Sequence, residues 1–168
     1  MVSAVINAGG VGSFGFAYTS PEKIEEDLIQ TLRLCHQSSP PINANFFVFK
    51  NVSPPTEQEI KEAVVNLRQL RHISIPEFPE LKEPFFPNLE EQLEPIWKLK
   101  PKFLTFHFGI PDEKIIEKAK VLGISIGITA TNEREALQIQ EAGAYFVIAQ
   151  GIEAGGHRGI FDVEGFDE

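Results

Sequence analysis

The residues best suited to chemistry lie in the run Gly151-Ile152-Glu153-Ala154-Gly155-Gly156-His157-Arg158-Gly159. Four glycines in these nine residues permit positive φ and close approach of backbone to a flat or phosphorylated ligand. His157 beside them has the side chain suited to taking up a proton near neutral pH. The run is not a Walker loop, because no Gly-Lys-Ser/Thr follows, and its glycine spacing is not the dinucleotide fingerprint. On local composition alone it reads equally well as a flexible glycine loop with an incidental histidine.

Other polar residues punctuate apolar runs. Gln150 ends the run that leads into the glycine-rich stretch, and His107 sits between Phe106 and Phe108 ahead of Gly109. Asn45 lies in an early apolar segment, and Thr129 and Thr131 close another. Pointing into a barrel centre, His107 would touch a ligand; otherwise it is a hydrogen-bonded core histidine. Asn45 either reaches a ligand or ties down a neighbouring turn. No pair of histidines, or histidine and carboxylate, has metal-site spacing, so no metal is expected. His36 and His72 follow helical segments and are expected to be solvated. The single cysteine, Cys35, excludes an internal disulfide framework, fits a reducing cytoplasm and is expected to pack on the apolar face of a helix.

These residues must be positioned by regular elements, and the chain between them has a clear alternation. Phe103 to Phe108, Ile124 to Thr129 and Tyr145 to Gln150 are short runs apolar enough for buried strands. Two helical stretches, Asp112 to Leu122 and Asn132 to Ala142, separate them, each ending at a glycine, Gly123 or Gly143. Strand starts at Phe103, Ile124 and Tyr145 recur every 21 residues. This β-α-β-α-β pattern demands parallel strands with right-handed crossovers, so the fold class is α/β. Ligands then bind at the carboxyl ends of the strands, where the uncommon polar residues collect.

Earlier, Asn43 to Phe49 reads as a strand and Gly12 to Tyr18 as a weaker one, with Ala8-Gly9-Gly10-Val11-Gly12 as a helix-to-strand turn. Ser20-Pro21 starts a helix with Ile24, Leu28, Leu32 and Cys35 on its apolar face. Thr56 with Glu59, and Asn88 with Glu91, form capping boxes for two more helices, and Pro95 should kink the second. Four prolines between Ser74 and Pro87 predict an extended connector.

The length of 168 residues suits one domain, read here as residues 1–168, but falls short of the ~250 residues of a complete eight-stranded α/β barrel. With 15 Lys+Arg against 24 Asp+Glu the net charge is −9. A nucleic-acid partner would need a basic footprint that is not there. No apolar run approaches the ~20 residues that span a bilayer, so no membrane partner is expected, and no signal segment opens the chain. The run from Phe161 to Glu168 looks like an acidic tail.

Taken together, the motifs resemble the nitronate monooxygenase family, also called 2-nitropropane dioxygenases. Asn7-Ala8-Gly9-Gly10-Val11-Gly12 is similar to that family's early Asn-Ala-Gly-Gly-Leu-Gly turn, and Ile42-Asn43-Ala44-Asn45-Phe46-Phe47-Val48 to its Val-Asn-Leu-Phe-Val strand. Phe106-His107-Phe108-Gly109 and the run from Ala149 to Gly159 match closely and in order, the latter being the most specific. The likeness covers essentially the whole chain and is loosest around the proline-rich segment. It implies an FMN-dependent TIM-type (β/α) barrel that oxidises small alkyl nitronates with O₂ and needs no metal. By this resemblance Asn45, Gln150 and Gly155 contact FMN, His157 is the base or the group that positions the nitronate, and His107 lines the same pocket.

The family pattern has a first strand before these motifs and phosphate-binding glycine loops after them. The resemblance therefore implies an incomplete barrel, whose open strand edges invite self-association. Two alternatives stand beside this reading. One is a flavin-dependent enoyl-acyl-carrier-protein reductase, which shares the Gly-Gly-His loop. The other is an inactive, truncated barrel.

Overall fold

A computed structural model describes residues 1–49, 55–68 and 86–162. Met1–Phe49 together with Pro87–Glu168 make one compact unit, and Lys50–Phe86 a second. In the second, α3 (Glu57–Arg68) opens on the expected capping box. The Thr56 N–H donates to the Glu59 carboxylate at 2.7 Å, and the Glu59 N–H donates back to Thr56 Oγ1 at 3.3 Å. The proline-rich connector lies outside the described residues except for its last two positions, and His72 lies outside them too.

The first unit is built on five strands: β1 (Gly12–Gly15), β2 (Ile42–Phe47), β3 (Phe103–His107), β4 (Ser125–Ala130) and β5 (Phe146–Ala149). They lie side by side in sequence order, and every neighbouring pair is parallel. Parallel strands added always on the same side, with crossovers of one hand, put all their helices on one face. That is the wall of a (β/α) barrel, and it bears out the incomplete TIM-type architecture. A doubly wound sheet would reverse its strand order partway.

The helices are α1 (Val2–Asn7), α2 (Pro21–Leu34), α4 (Leu89–Leu99), α5 (Glu113–Leu122) and α6 (Glu133–Glu141). Alternate strand residues Ile42, Ala44, Phe46, Leu104, Phe106, Ile126 and Ile128 are buried with Leu28, Leu93, Ile116 and Ile139 from the helices in one core. Gly123 and Gly143, at φ of 73° and 80°, end α5 and α6 as expected, because positive φ costs glycine little. The turn from α1 into β1 is likewise where the glycine run predicts it.

Three expectations need correction. The buried face of α2 carries Ile24, Leu28 and Thr31, while Leu32 is exposed; Cys35, the half-buried C-cap residue, does pack against the core as expected. Starting from Ile24, seven residues return to within about 20° of the same face, whereas eight overshoot by about 80°. At α4, Asn88 Oδ1 caps the Glu90 N–H at 3.0 Å, and only the Asn88 amide reaches Glu91, at 3.3 Å. Pro95 lies inside α4 as expected, and the helix runs on to Leu99. Finally, the start of the expected acidic tail is not a free tail. Phe161 is buried in the core, and Asp162 pairs with Arg134 of α6. Among the described residues, no helix is long and apolar enough to cross a membrane.

Candidate functional site

The face of the sheet opposite the helices is polar, and strand register sets its levels. Pairing aligns Ser13 with Asn43, and Gly15 with Asn45. Asn45 in turn stands beside Thr105, and Phe47 beside His107. On β4 and β5, Gly127 pairs with Phe146 and Thr129 with Ile148. Gly127 is where the chain needs a missing side chain, since a Cβ there would lie 2.1 Å from the Phe146 ring. Because side chains on a strand alternate, Asn43, Asn45 and Phe47 share this face, as do Thr105 and His107.

The polar groups form one network. Asn43 Nδ2 donates to Ser13 Oγ at 2.8 Å and to Thr105 Oγ1 at 3.0 Å. The Thr105 hydroxyl has Asn45 Oδ1 at 2.9 Å and Asn43 Oδ1 at 3.1 Å. Above it opens a cavity of about 420 Å³, lined among others by Asn45, Thr105, His107 and Gln150. That volume falls in the range of small-molecule sites.

The glycine-rich loop is held over this cavity by main-chain contacts. Gln150 Nε2 donates to the His157 carbonyl at 3.0 Å, and Gln150 Oε1 accepts from the Gly159 N–H at 2.6 Å. His107 Nε2 meets the same carbonyl at 3.2 Å. A carbonyl can only accept, so Nε2 carries the proton and, in the neutral ring, Nδ1 keeps its lone pair. Gly159 is buried against His107, where a Cβ would lie 2.5 Å from Cε1. The His157 ring stands edge-on to Phe108, 5.8 Å between centroids, and 6.2 Å from Phe47. Phe108 holds this position at φ 69°, a conformation that is unfavourable for a bulky residue and concentrates at functional sites.

Beyond the loop, the chain is locked by Glu135. Its fully buried carboxylate accepts from Thr131 N at 2.7 Å, Thr131 Oγ1 at 2.9 Å, Phe161 N at 2.7 Å and Asp162 N at 3.0 Å. Burial pushes this carboxyl's pKa up. The hydrogen bonds from Asp162, Phe161 and Thr131 outweigh it and hold the group below its ordinary 4.5. The guanidinium of Arg134 and the Gln138 amide both bind the Asp162 carboxylate, adding to the lock.

The fold thus brings Asn45, His107 and Gln150 to one cavity. Gly155 and the His157 side chain are exposed on the loop and stand outside its lining. Thr105, Asn43 and Glu135 are the residues that sequence reasoning missed. The first two carried a readable signal, since Asn43-x-Asn45 and Thr105-x-His107 each repeat at the strand period. Among the described residues, no cluster of His, Cys, Asp or Glu could hold a metal.

The chain matches the family model described as nitronate monooxygenase over residues 1–168. It is 30% identical to the nitronate monooxygenase of Paraburkholderia phytofirmans, covering 100% of this chain and 46% of that protein. It is 34% identical to a probable nitronate monooxygenase of Staphylococcus aureus, over 96% of this chain and 44% of that protein. The chain therefore spans less than half the length of these curated relatives. Among solved structures, a nitroalkane oxidase from Streptomyces ansochromogenes superposes with a TM-score of 0.74 at 26% identity, over 95% of this chain and 44% of that one. FabK from Thermotoga maritima shares the fold, with a TM-score of 0.64 at 22% identity, over 95% of this chain and 38% of that one.

Proposed function

The chain belongs to the nitronate monooxygenase family, and from that premise we propose that it binds FMN on the polar face of its sheet and oxidises small alkyl nitronates with O₂. The observation that carries this reading is the convergence of Asn45 from within β2, His107 from the end of β3 and Gln150 from just beyond β5 on one cavity beneath the His157 loop.

The donor set fits the ring of a flavin. A flat heteroaromatic edge of alternating acceptors and donors suits side-chain amides, and the Asn45 amide faces such a space. No Lys or Arg lines the cavity, so the described lining matches the ring and not the phosphate. When bound, the flavin supplies the electron transfer between nitronate and O₂. The protein supplies position and charge. Asn45 and Gln150 would hold the cofactor from the cavity lining and Gly155 would meet it from the exposed loop, which the Gln150 amide also fixes.

His157 is the base, or the group that positions the anionic nitronate. Its carbonyl is anchored by His107 and Gln150, so the loop backbone is set while the ring stays available. Phe47 and Phe108 flank that ring on one side and orient it. His107 lines the pocket beneath. The exposed edge strand β5, with Val147 and Ile148 partly uncovered, supports self-association of the chain.

The experiment is oxygen uptake by the FMN-supplemented protein with an alkyl nitronate, beside NADH oxidation with an enoyl thioester. Uptake with the nitronate alone is the expected result. NADH oxidation with the thioester would assign the site to the reductase chemistry instead, and neither reaction would leave a barrel segment without independent activity.

A further inference from the structure

Thr105 is only 3% exposed and lies in the cavity lining beside Asn45. It stands between the two asparagines of β2. Its single hydroxyl proton has two acceptors in reach, and the geometry around it decides which one receives it. Asn43 Nδ2 already donates to Thr105 Oγ1 at 3.0 Å and to Ser13 Oγ at 2.8 Å. Both of the Asn43 amide protons are thereby used, and the lone pair of Thr105 that faces Asn43 is occupied. The hydroxyl proton then goes to the nearer acceptor outside that amide, Asn45 Oδ1, at 2.9 Å. The result is a directed relay, in which Asn43 donates to Thr105 and Thr105 donates to Asn45.

A primary amide is asymmetric, with one end that only accepts and one that only donates. Once Thr105 has claimed Asn45 Oδ1, the Asn45 NH₂ is the end left for the cavity that Asn45 lines. Reversing the relay would turn the amide over and present an acceptor instead. Such a reversal matters once a ligand covers the amide, because a donor then facing a donor is left unsatisfied and costs about 1–3 kcal/mol.

We infer that Thr105 is a positioning residue, which with Asn43 fixes the polarity of the Asn45 amide so that the cavity is presented with a hydrogen-bond donor. This selects ligands with an acceptor at that point, a ring carbonyl or an unprotonated ring nitrogen. The inference rests on the proposed flavin site for its ligand but not for its geometry.

Three variants test it. Thr105→Val keeps the shape and removes the hydroxyl, Thr105→Ser keeps the hydroxyl, and Asn45→Asp keeps the acceptor for Thr105 while removing the donor. FMN affinity is read on all three by quenching of flavin fluorescence, and the NMR order parameter of the Asn45 side-chain NH₂, in protein without added flavin, on the two Thr105 variants. The expected result is that Thr105→Val weakens FMN about tenfold or more and lowers the order parameter. Thr105→Ser should stay within about threefold with the order parameter unchanged, and Asn45→Asp should weaken FMN as Thr105→Val does. An order parameter that does not fall in Thr105→Val, with its melting temperature unchanged, overturns the relay. Wild-type FMN affinity retained in Asn45→Asp overturns the donor assignment. Failure of the wild-type protein to bind FMN would count against the flavin reading, and the order parameter would still decide the relay.

Discussion

The imidazole of His107 donates through Nε2 to the main-chain carbonyl of His157, 3.2 Å away and 50 residues later in the chain. Gln150 donates to the same oxygen at 3.0 Å, so both lone pairs of that carbonyl are used. One histidine of the site therefore holds the backbone of the other and leaves the second ring free for a ligand. His107→Phe keeps the ring against Phe47 and Phe108 but deletes the donor. The expected outcome is hydrogen exchange about tenfold faster at the Gly159 amide with little change in melting temperature. Unchanged protection at Gly159 would mean that Gln150 alone fixes the loop.

Gly159 is where the loop presses on that ring. A methyl group there would lie 2.5 Å from His107 Cε1 and 3.0 Å from Thr129 Cγ2. Gly159→Ala should destabilise the fold by about 1–3 kcal/mol through overpacking. In a His107→Ala background the same substitution should cost about half as much or less. Urea unfolding of the four proteins in this cycle checks it, and additive costs would show that the contact is not the cause.

Glu135 gives the account a pH dependence. Its folded-state pKa lies below the ordinary 4.5 because hydrogen bonds to Asp162, Phe161 and Thr131 outweigh its burial. A carboxyl depressed on folding contributes stability that is fully present above the unfolded value and is lost as pH falls through the folded one. Glu135→Gln should therefore be less stable than wild type by about 2–3 kcal/mol near neutrality. The difference should shrink below about pH 4.5. Denaturant titrations from pH 7 to pH 3 measure this, and a gap that does not narrow on acidification would remove the ionised carboxylate from the explanation.

Among the described residues, no Lys or Arg lines the cavity, which bears on how a flavin is held. FMN and riboflavin should bind this chain with affinities within about threefold of each other, because a phosphate gains most from nearby cations. Parallel fluorescence titrations compare them. FMN tighter by about thirtyfold or more would place a phosphate anchor that the described cavity does not contain.

How much of this the sequence disclosed depends on distance along the chain. The strands from Phe103 onward, their glycine stops and the parallel order are local signals, since alternation, caps and positive-φ glycines act within a few residues. The placement of His107 and Gln150 at strand ends, and of Asn45 on the same face within β2, follows from the same periodicity. The Glu135 clamp on Phe161 and Asp162 was not legible, because it joins residues 26 and 27 positions apart and a buried glutamate looks like any other helix glutamate in sequence. Leu32 was misplaced for a simpler reason, a helix phase that drifts over two turns. Gln92 is similar to Glu135: on paper a polar helix residue, it is buried and donates to the carbonyls of Phe16 and Thr19, holding the turn after β1.

The central claim is that the His157 loop completes a flavin site that oxidises nitronates, and the most direct test is oxygen uptake by wild type and His157→Asn, each with its bound flavin quantified from the visible spectrum. The account predicts equal flavin occupancy in both, nitronate-dependent oxygen uptake in wild type, and a rate near background in the variant. Uptake in His157→Asn close to that of wild type, at equal occupancy, would contradict it.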